Sequence, residues 1–207
     1  NFDDFYLDKK ERIKLSKSIH PLLYTRGVPG THDINYLSKI IKKFNRYEYP
    51  LKIPIFDKLR DCRKKNIKII KEKCDILILE GWCAGCPPLT NKYLFSNINL
   101  LEKKFDKEKK WRIYYNNELK KNYSDLFKQF NLTIFYKASS FKDIFKWRLK
   151  QENKLRKKNK INLSLGMSQK KISNFIQHYE KITKWMIKKM PNKANLILFL
   201  NQKQEIT

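Results

Sequence analysis

The chain has 207 residues, 41% of them hydrophobic, and 47 Lys and Arg against 20 Asp and Glu give it a formal charge of +27. That length supports one domain with a real core. No run approaches the roughly 18 apolar residues of a membrane helix, and Asn1-Phe2-Asp3-Asp4 is not the basic-then-apolar opening of a signal peptide.

The charge does not favour nucleic acid as a partner. Only eight basic residues are Arg, and the lysines are spread along the whole chain among much Asn and Ile, the bias of an A- and T-rich coding sequence. A positive field also serves a small anionic substrate.

In chain order, residues 8–18 predict a short charged helix. Then comes "LLYTRGVPGTHD", which holds two of the chain's five glycines together with Arg26, His32 and Asp33. A turn needs Gly or Pro; it does not need an Arg, a His and an Asp as well. Ile34, Leu37, Ile40, Ile41 and Phe44 form a helical stripe, and Asp33 stands before it as an N-cap. "LKIPIF" reads as a short extended piece kept irregular by Pro50 and Pro54. "DILILE", residues 75–80, is the nearly continuous apolar run of a strand buried on both faces. Helices are expected over 111–130, 140–158 and 168–189, with Ser168 capping the last, and further buried strands at "LTIFYKA" and "ANLILFL". Strands alternating with helices predict an α/β sandwich with a mostly parallel sheet.

The four cysteines are Cys62, Cys74, Cys83 and Cys86. "CAGC" has the spacing of a redox or zinc site, but no second tight pair completes a zinc set. Structural thiols in a reducing, cytoplasmic setting are expected.

Ligands of open α/β sheets lie beyond the carboxyl ends of the strands. Glu80, followed by Gly81, suits a metal or water ligand in phosphate transfer; an ordinary strand-end acid fits as well. Asp3 and Asp4 would occupy the same edge if a strand ended just before Asn1, where a carboxylate could deprotonate a hydroxyl; a charged helix start is the alternative. Asp57 and Lys58, with Arg60 and Arg63 close by, could bind a polyhydroxy acid or phosphate, or form a solvated loop. Arg148 and Arg156 lie two turns apart near one helix face, where guanidinium forks would meet phosphates or solvent.

Four stretches, "DDFYL", "LLYTRGVPGTHDINYL", "PIFDKLRDCR" and "DILILEGWCAG", together resemble the D-glycerate 3-kinase and glycerate kinase-like group of P-loop kinases, related to uridine, pantothenate and phosphoribulose kinases. "KWRLKQENKLRKK", "HYEKITKWM" and "ANLILFL" resemble that family's lid helix, following helix and last strand.

The resemblance implies a three-layer P-loop kinase sandwich, a single domain over 1–207, with a lid around 140–167. It implies an ATP- and Mg2+-dependent transfer of a phosphoryl group to a hydroxyl of a glycerate-like acid. Asp3 would be the base or orienting acid and Glu80 would assist magnesium, with Asp3 as a second candidate ligand. Arg26, His32, Asp33, Asp57 and Lys58 would embrace the acceptor, and Arg148 and Arg156 would meet the nucleotide phosphates.

The phosphate-cradling G-x-x-x-x-G-K-[ST] is absent from these residues. In the family it precedes "DDFY" as part of a strand–loop–helix–strand unit, so the chain is expected to be the later part of a kinase, beginning inside it at Asn1 and turning over slowly or not at all alone. The competing expectation is a non-catalytic basic binding protein, for RNA or a protein partner, on a kinase-derived fold.

Overall fold

A computed structural model describes residues 1–159 and 168–207, with the backbone alone for 155–159. The described residues form two compact units.

The first unit comprises Asn1–Ser96 and Phe105–Asn131. It opens with a 3-10 turn, Phe2–Phe5, capped by Asn1. Helix α1, Lys9–Ser18, starts in a capping box between Asp8 and Glu11. Helix α2, Ile34–Asn45, begins where expected because the Asp33 side chain accepts from the Tyr36 amide, and its stripe of Ile34, Leu37, Ile40 and Ile41 is buried. "LKIPIF" divides into β1, Leu51–Ile53, and the start of β2, Phe56–Asp57. Strand β1 pairs antiparallel with β4, Lys68–Ile70, and β2 with β3, Cys62–Arg63.

After α3, Asn91–Phe95, and past the short α4, Leu100–Phe105, which belongs to the second unit as far as Lys104, the helix expected over 111–130 is found in three pieces. These are α5, Lys110–Glu118, a π-helical turn at Leu119–Tyr123, and α6, Ser124–Phe127. The core gathers Phe2, Leu23, Val28, Leu37, Tyr115 and Tyr123. Arg112 and Asp106 are buried together as a 2.7 Å ion pair.

The expectation for residues 75–80 is corrected. No strand pairing is formed there among the described residues, and Ile76 and Ile78 are 78% and 80% exposed. An apolar run is buried only when neighbours close over its backbone edges and faces, and the run itself does not supply them.

The second unit comprises Asn97–Lys104 and Leu132–Thr207. Its strands β5, Ile134–Ala138, and β6, Leu196–Leu200, pair in parallel in the register Ile134↔Leu196 to Ala138↔Leu200. Both strands were legible as apolar runs, but Ile134, Tyr136, Leu196 and Phe199 remain exposed. Helix α7, Phe141–Asn159, starts where Ser139 and Ser140 both donate to Asp143. Helix α8, Gln169–Lys189, is capped by Ser168 as expected. Lys181 and Glu102, both buried, pair at 3.3 Å within this unit. No described helix is long and apolar enough to cross a membrane.

Candidate functional site

The site is built around the first turn. The Phe2 amide donates to the Glu80 carbonyl at 2.7 Å, which lays Asp3 beside the end of the apolar run. Gly81 permits this: a Cβ there would stand 2.4 Å from the Phe2 Cβ. Asn1 bridges the two acids, accepting from the Asp3 amide and donating to Glu80 Oε1 at 2.8 Å.

Asp3 and Asp4 divide into two roles. Asp4 Oδ1 accepts from the Phe56 amide and ties the turn to β2. Asp3 carries the exposed chemistry: Tyr6 donates its hydroxyl to Oδ1 at 2.7 Å, and Lys58 donates to Oδ2 at 2.6 Å. Burial pushes the Asp3 carboxyl up, but the hydrogen bonds from Lys58 and Tyr6 and the Lys58 charge outweigh it and hold the group below the usual carboxylate range.

The glycine-containing loop is irregular yet densely fastened. Gly27 and Gly30 take φ of 108° and 91°, conformations that favour glycine. The Thr31 hydroxyl donates to the Val28 carbonyl and accepts from the Gly27 amide. The Asp33 amide donates to the Phe5 carbonyl and the Leu7 amide to the Thr31 carbonyl, so the loop runs against the first turn.

His32 is 6% exposed. Its ring stacks on Phe2 at 4.2 Å and lies 4.7 Å from Tyr6, and Nδ1 is 2.7 Å from the Tyr123 hydroxyl. Burial drives it down to about 3 against the opposing pull of Asp3. It is a neutral spacer between the first turn and the π-helical turn. Asp33 caps α2 with one oxygen and accepts from Arg63 with the other. Arg26 donates to Asp61 Oδ1 and to the Lys58 carbonyl.

Asp57 accepts from the amides of Leu59 and Arg60, and these bonds, that of Arg60 foremost, lower its carboxyl. It shapes the turn that presents Lys58. Seven of the expected residues, Asp3, Arg26, His32, Asp33, Asp57, Lys58 and Glu80, thus fall in one unit.

Arg148 belongs to the other unit. It donates to Gln151 and Glu152 and lines a cavity of about 400 Å³ with Trp147, Lys150, Lys154 and Gln204. The Arg156 side chain, and the part of the expected lid at 160–167, lie outside the described residues.

Sequence reasoning missed Tyr6, Arg12, Asp61 and Tyr123. Arg12 carried a weak signal: it is one of only eight arginines among 47 basic residues, and a planar fork suits a buried ion pair better than an ammonium does. The cysteines behave as expected of packing thiols, since Cys83 and Cys86 are buried and free and burial pushes both thiols up.

Magnesium takes one or two carboxylates and leaves its other positions to phosphates and water. Among the described residues no cluster of three acidic, His or Cys groups could hold a metal. Glu80, exposed and bonded by Asn1 through one oxygen, fits such an ion; both Asp3 oxygens are engaged by Tyr6 and Lys58.

The mixed α/β fold of the described residues is that of P-loop kinases, as its likeness to a solved kinase shows. A D-glycerate 3-kinase from Cryptococcus neoformans superposes with a TM-score of 0.78 at 27% identity, covering 100% of this chain and 76% of that one. The YGR205w protein superposes at 0.76 and 23% identity, covering 99% and 74%, and shows the fold alone.

In sequence, the chain is similar to the uncharacterized kinase mug58 of Schizosaccharomyces pombe, 26% identical over 206 residues, covering 95% of this chain and 72% of that protein. It is also similar to the probable ATP-dependent kinase TDA10 of Saccharomyces cerevisiae, 30% identical over 200 residues, 86% of this chain and 62% of the relative. The chain therefore spans about two thirds of the curated relatives it matches. No protein-family model matches it.

Proposed function

We propose that this chain forms the acceptor side of an ATP-dependent small-molecule kinase that phosphorylates a hydroxyl of a small acid, D-glycerate to 3-phosphoglycerate being the first candidate. The observation that carries the reading is the Asp3 carboxylate, held at both oxygens beside Glu80 in a fold shared with a D-glycerate 3-kinase.

In the reaction the acceptor oxygen attacks the γ-phosphorus, the bond between that phosphorus and the β–γ bridging oxygen breaks, and ADP leaves. Asp3 accepts the hydrogen bond of the attacking hydroxyl and then its proton. A carboxyl held below its usual range is a weak base, which suits a loose transition state in which positioning outweighs proton abstraction. Lys58 and Arg26 supply positive charge for the acid group of the acceptor. Glu80 would hold magnesium, which neutralises charge on the transferring phosphoryl group. Arg148 and Lys154, with Trp147 in the same cavity, have the chemistry to meet a nucleotide, and we read α7 as the lid.

The phosphate cradle is not among these residues, so the 207 residues alone are expected not to turn over ATP, and the test belongs to the full-length polypeptide. With ATP, magnesium and D-glycerate it should release ADP and phosphoglycerate. ADP release that does not depend on any of a panel of small hydroxy acids overturns the reading.

A further inference from the structure

Arg12 and Asp61 have no role assigned so far, and they meet Arg26. Arg12, on α1, is 1% exposed. Its guanidinium donates to the carbonyls of Leu7 and Tyr24 at 3.1 and 2.6 Å and pairs with Asp61 Oδ2 at 2.7 Å. Asp61 gives its other oxygen to Arg26.

A carboxylate between two guanidiniums has the form of a bound ligand, here supplied by the protein itself. The backbone is committed to it as well: Asp61 takes a φ of 56°, in the left-handed region that a non-glycine residue adopts at a cost. Burial pushes the Asp61 carboxyl up, and the hydrogen bonds from Arg12 and Arg26 override that and lower it.

The consequence lies three residues upstream. Arg26, fixed by Asp61, donates its second amino group to the Lys58 carbonyl at 3.1 Å. Lys58 then reaches Asp3. The order Arg12, Asp61, Arg26, Lys58, Asp3 is a continuous line of charge-assisted contacts running from a buried helix face to the acid of the site.

We propose that Asp61 is a positioning residue: clamped by Arg12 and Arg26, it locks the β2–β3 turn so that the Lys58 ammonium stands against Asp3. Asp57 shapes the tip of the turn and Asp4 and Arg63 anchor its strands, but β2 and β3 contribute only two residues each and Leu59 is 95% exposed, so the clamp is what fixes the Lys58 backbone from the side. Without the clamp the loop opens, Lys58 leaves Asp3, and the acid and its cation no longer face the same acceptor. The role in turnover rests on the kinase reading; the clamp itself does not.

The experiment separates the two. Asp61→Asn keeps the shape and removes the charge that both arginines hold. Amine labelling followed by mass spectrometry should show Lys58 reacting several-fold faster in this variant, while Lys52 on β1 reacts at its original rate. Arg26→Gln removes the outer half of the clamp together with the bond to the Lys58 carbonyl, from a partly exposed position; it should also raise Lys58 labelling, and it serves if Asp61→Asn does not fold. Asp61→Glu, which retains a carboxylate, should restore part of the protection.

In the full-length polypeptide, Asp61→Asn should lower kcat by about tenfold or more with the KM for ATP unchanged, the signature of misplacement rather than unfolding. Lys58 labelling unchanged in a folded Asp61→Asn or Arg26→Gln variant overturns the proposal. Faster labelling in a protein that phosphorylates no hydroxy acid supports the clamp and defeats the kinase reading instead.

Discussion

Asp3 and Lys58 stand 55 positions apart in the chain and 2.6 Å apart in space. Neither position calls for the other by local structure: one sits in a 3-10 turn, the other in a hairpin loop. Asp4 brings the two elements together by accepting from the Phe56 amide, which binds the turn to the start of that hairpin.

Asp3→Asn keeps both neighbours within hydrogen-bond reach and removes the proton acceptor. In the full-length polypeptide kcat should fall by about 10² to 10⁴, the range of a positioned acid or base, while the acceptor KM changes little. Steady-state kinetics check this, and an unchanged kcat sinks the assignment.

His32 gives the fold an acid-sensitive component. Its folded value, about 3, lies below the ordinary 6.5, so the unfolded chain binds its proton first as pH falls. The contribution is intact above pH 6.5 and drains away between 6.5 and about 3. The loss approaches about 1.4 kcal/mol per pH unit in mid-window. Urea denaturation at pH 7, 5.5 and 4.5 should show it, and His32→Phe should flatten the dependence. An equally steep profile in that variant would assign the loss to other groups.

Tyr123 holds two partners at once, the Gly30 amide and His32 Nδ1, from a hydroxyl inside the core. Tyr123→Phe leaves a buried donor without its acceptor and should cost about 1–3 kcal/mol. Denaturant midpoints measure this; a neutral outcome would mean that the glycine-containing loop does not depend on the π-helical turn.

Gly81→Ala places a methyl group 2.4 Å from the Phe2 Cβ. The turn carrying Asp3 must shift, with a stability loss of about 1–3 kcal/mol. In the full-length polypeptide kcat should drop as well. A variant with wild-type stability and rate would show that the turn gives way freely.

How much of this was legible in the sequence depends on whether the cause was local. Asp33 and Ser168 were readable as caps because a cap acts on its own next turn, and the α2 stripe was readable because periodicity is a property of the segment itself. The apolar content of residues 75–80 was legible and their exposure was not, since burial belongs to whatever lies alongside. Asp3, Glu80 and Lys58 were found as isolated polar residues beyond extended runs. Their connection through Asn1, Asp4 and Phe56 came only with the fold. His32 was expected to face the acceptor; a sequence shows an imidazole but not the two aromatic rings that close over it.

The exposed isoleucines at 76 and 78 bear on the colloidal behaviour of these 207 residues on their own. An extended apolar segment whose edges are unpaired offers a template to another molecule, and a charge of +27 is what holds such molecules apart. Salt at about 0.1 M shortens the reach of that repulsion to about 10 Å. Light scattering should therefore turn from net repulsion to attraction as sodium chloride is raised, and Ile76→Lys with Ile78→Lys should abolish the turnover.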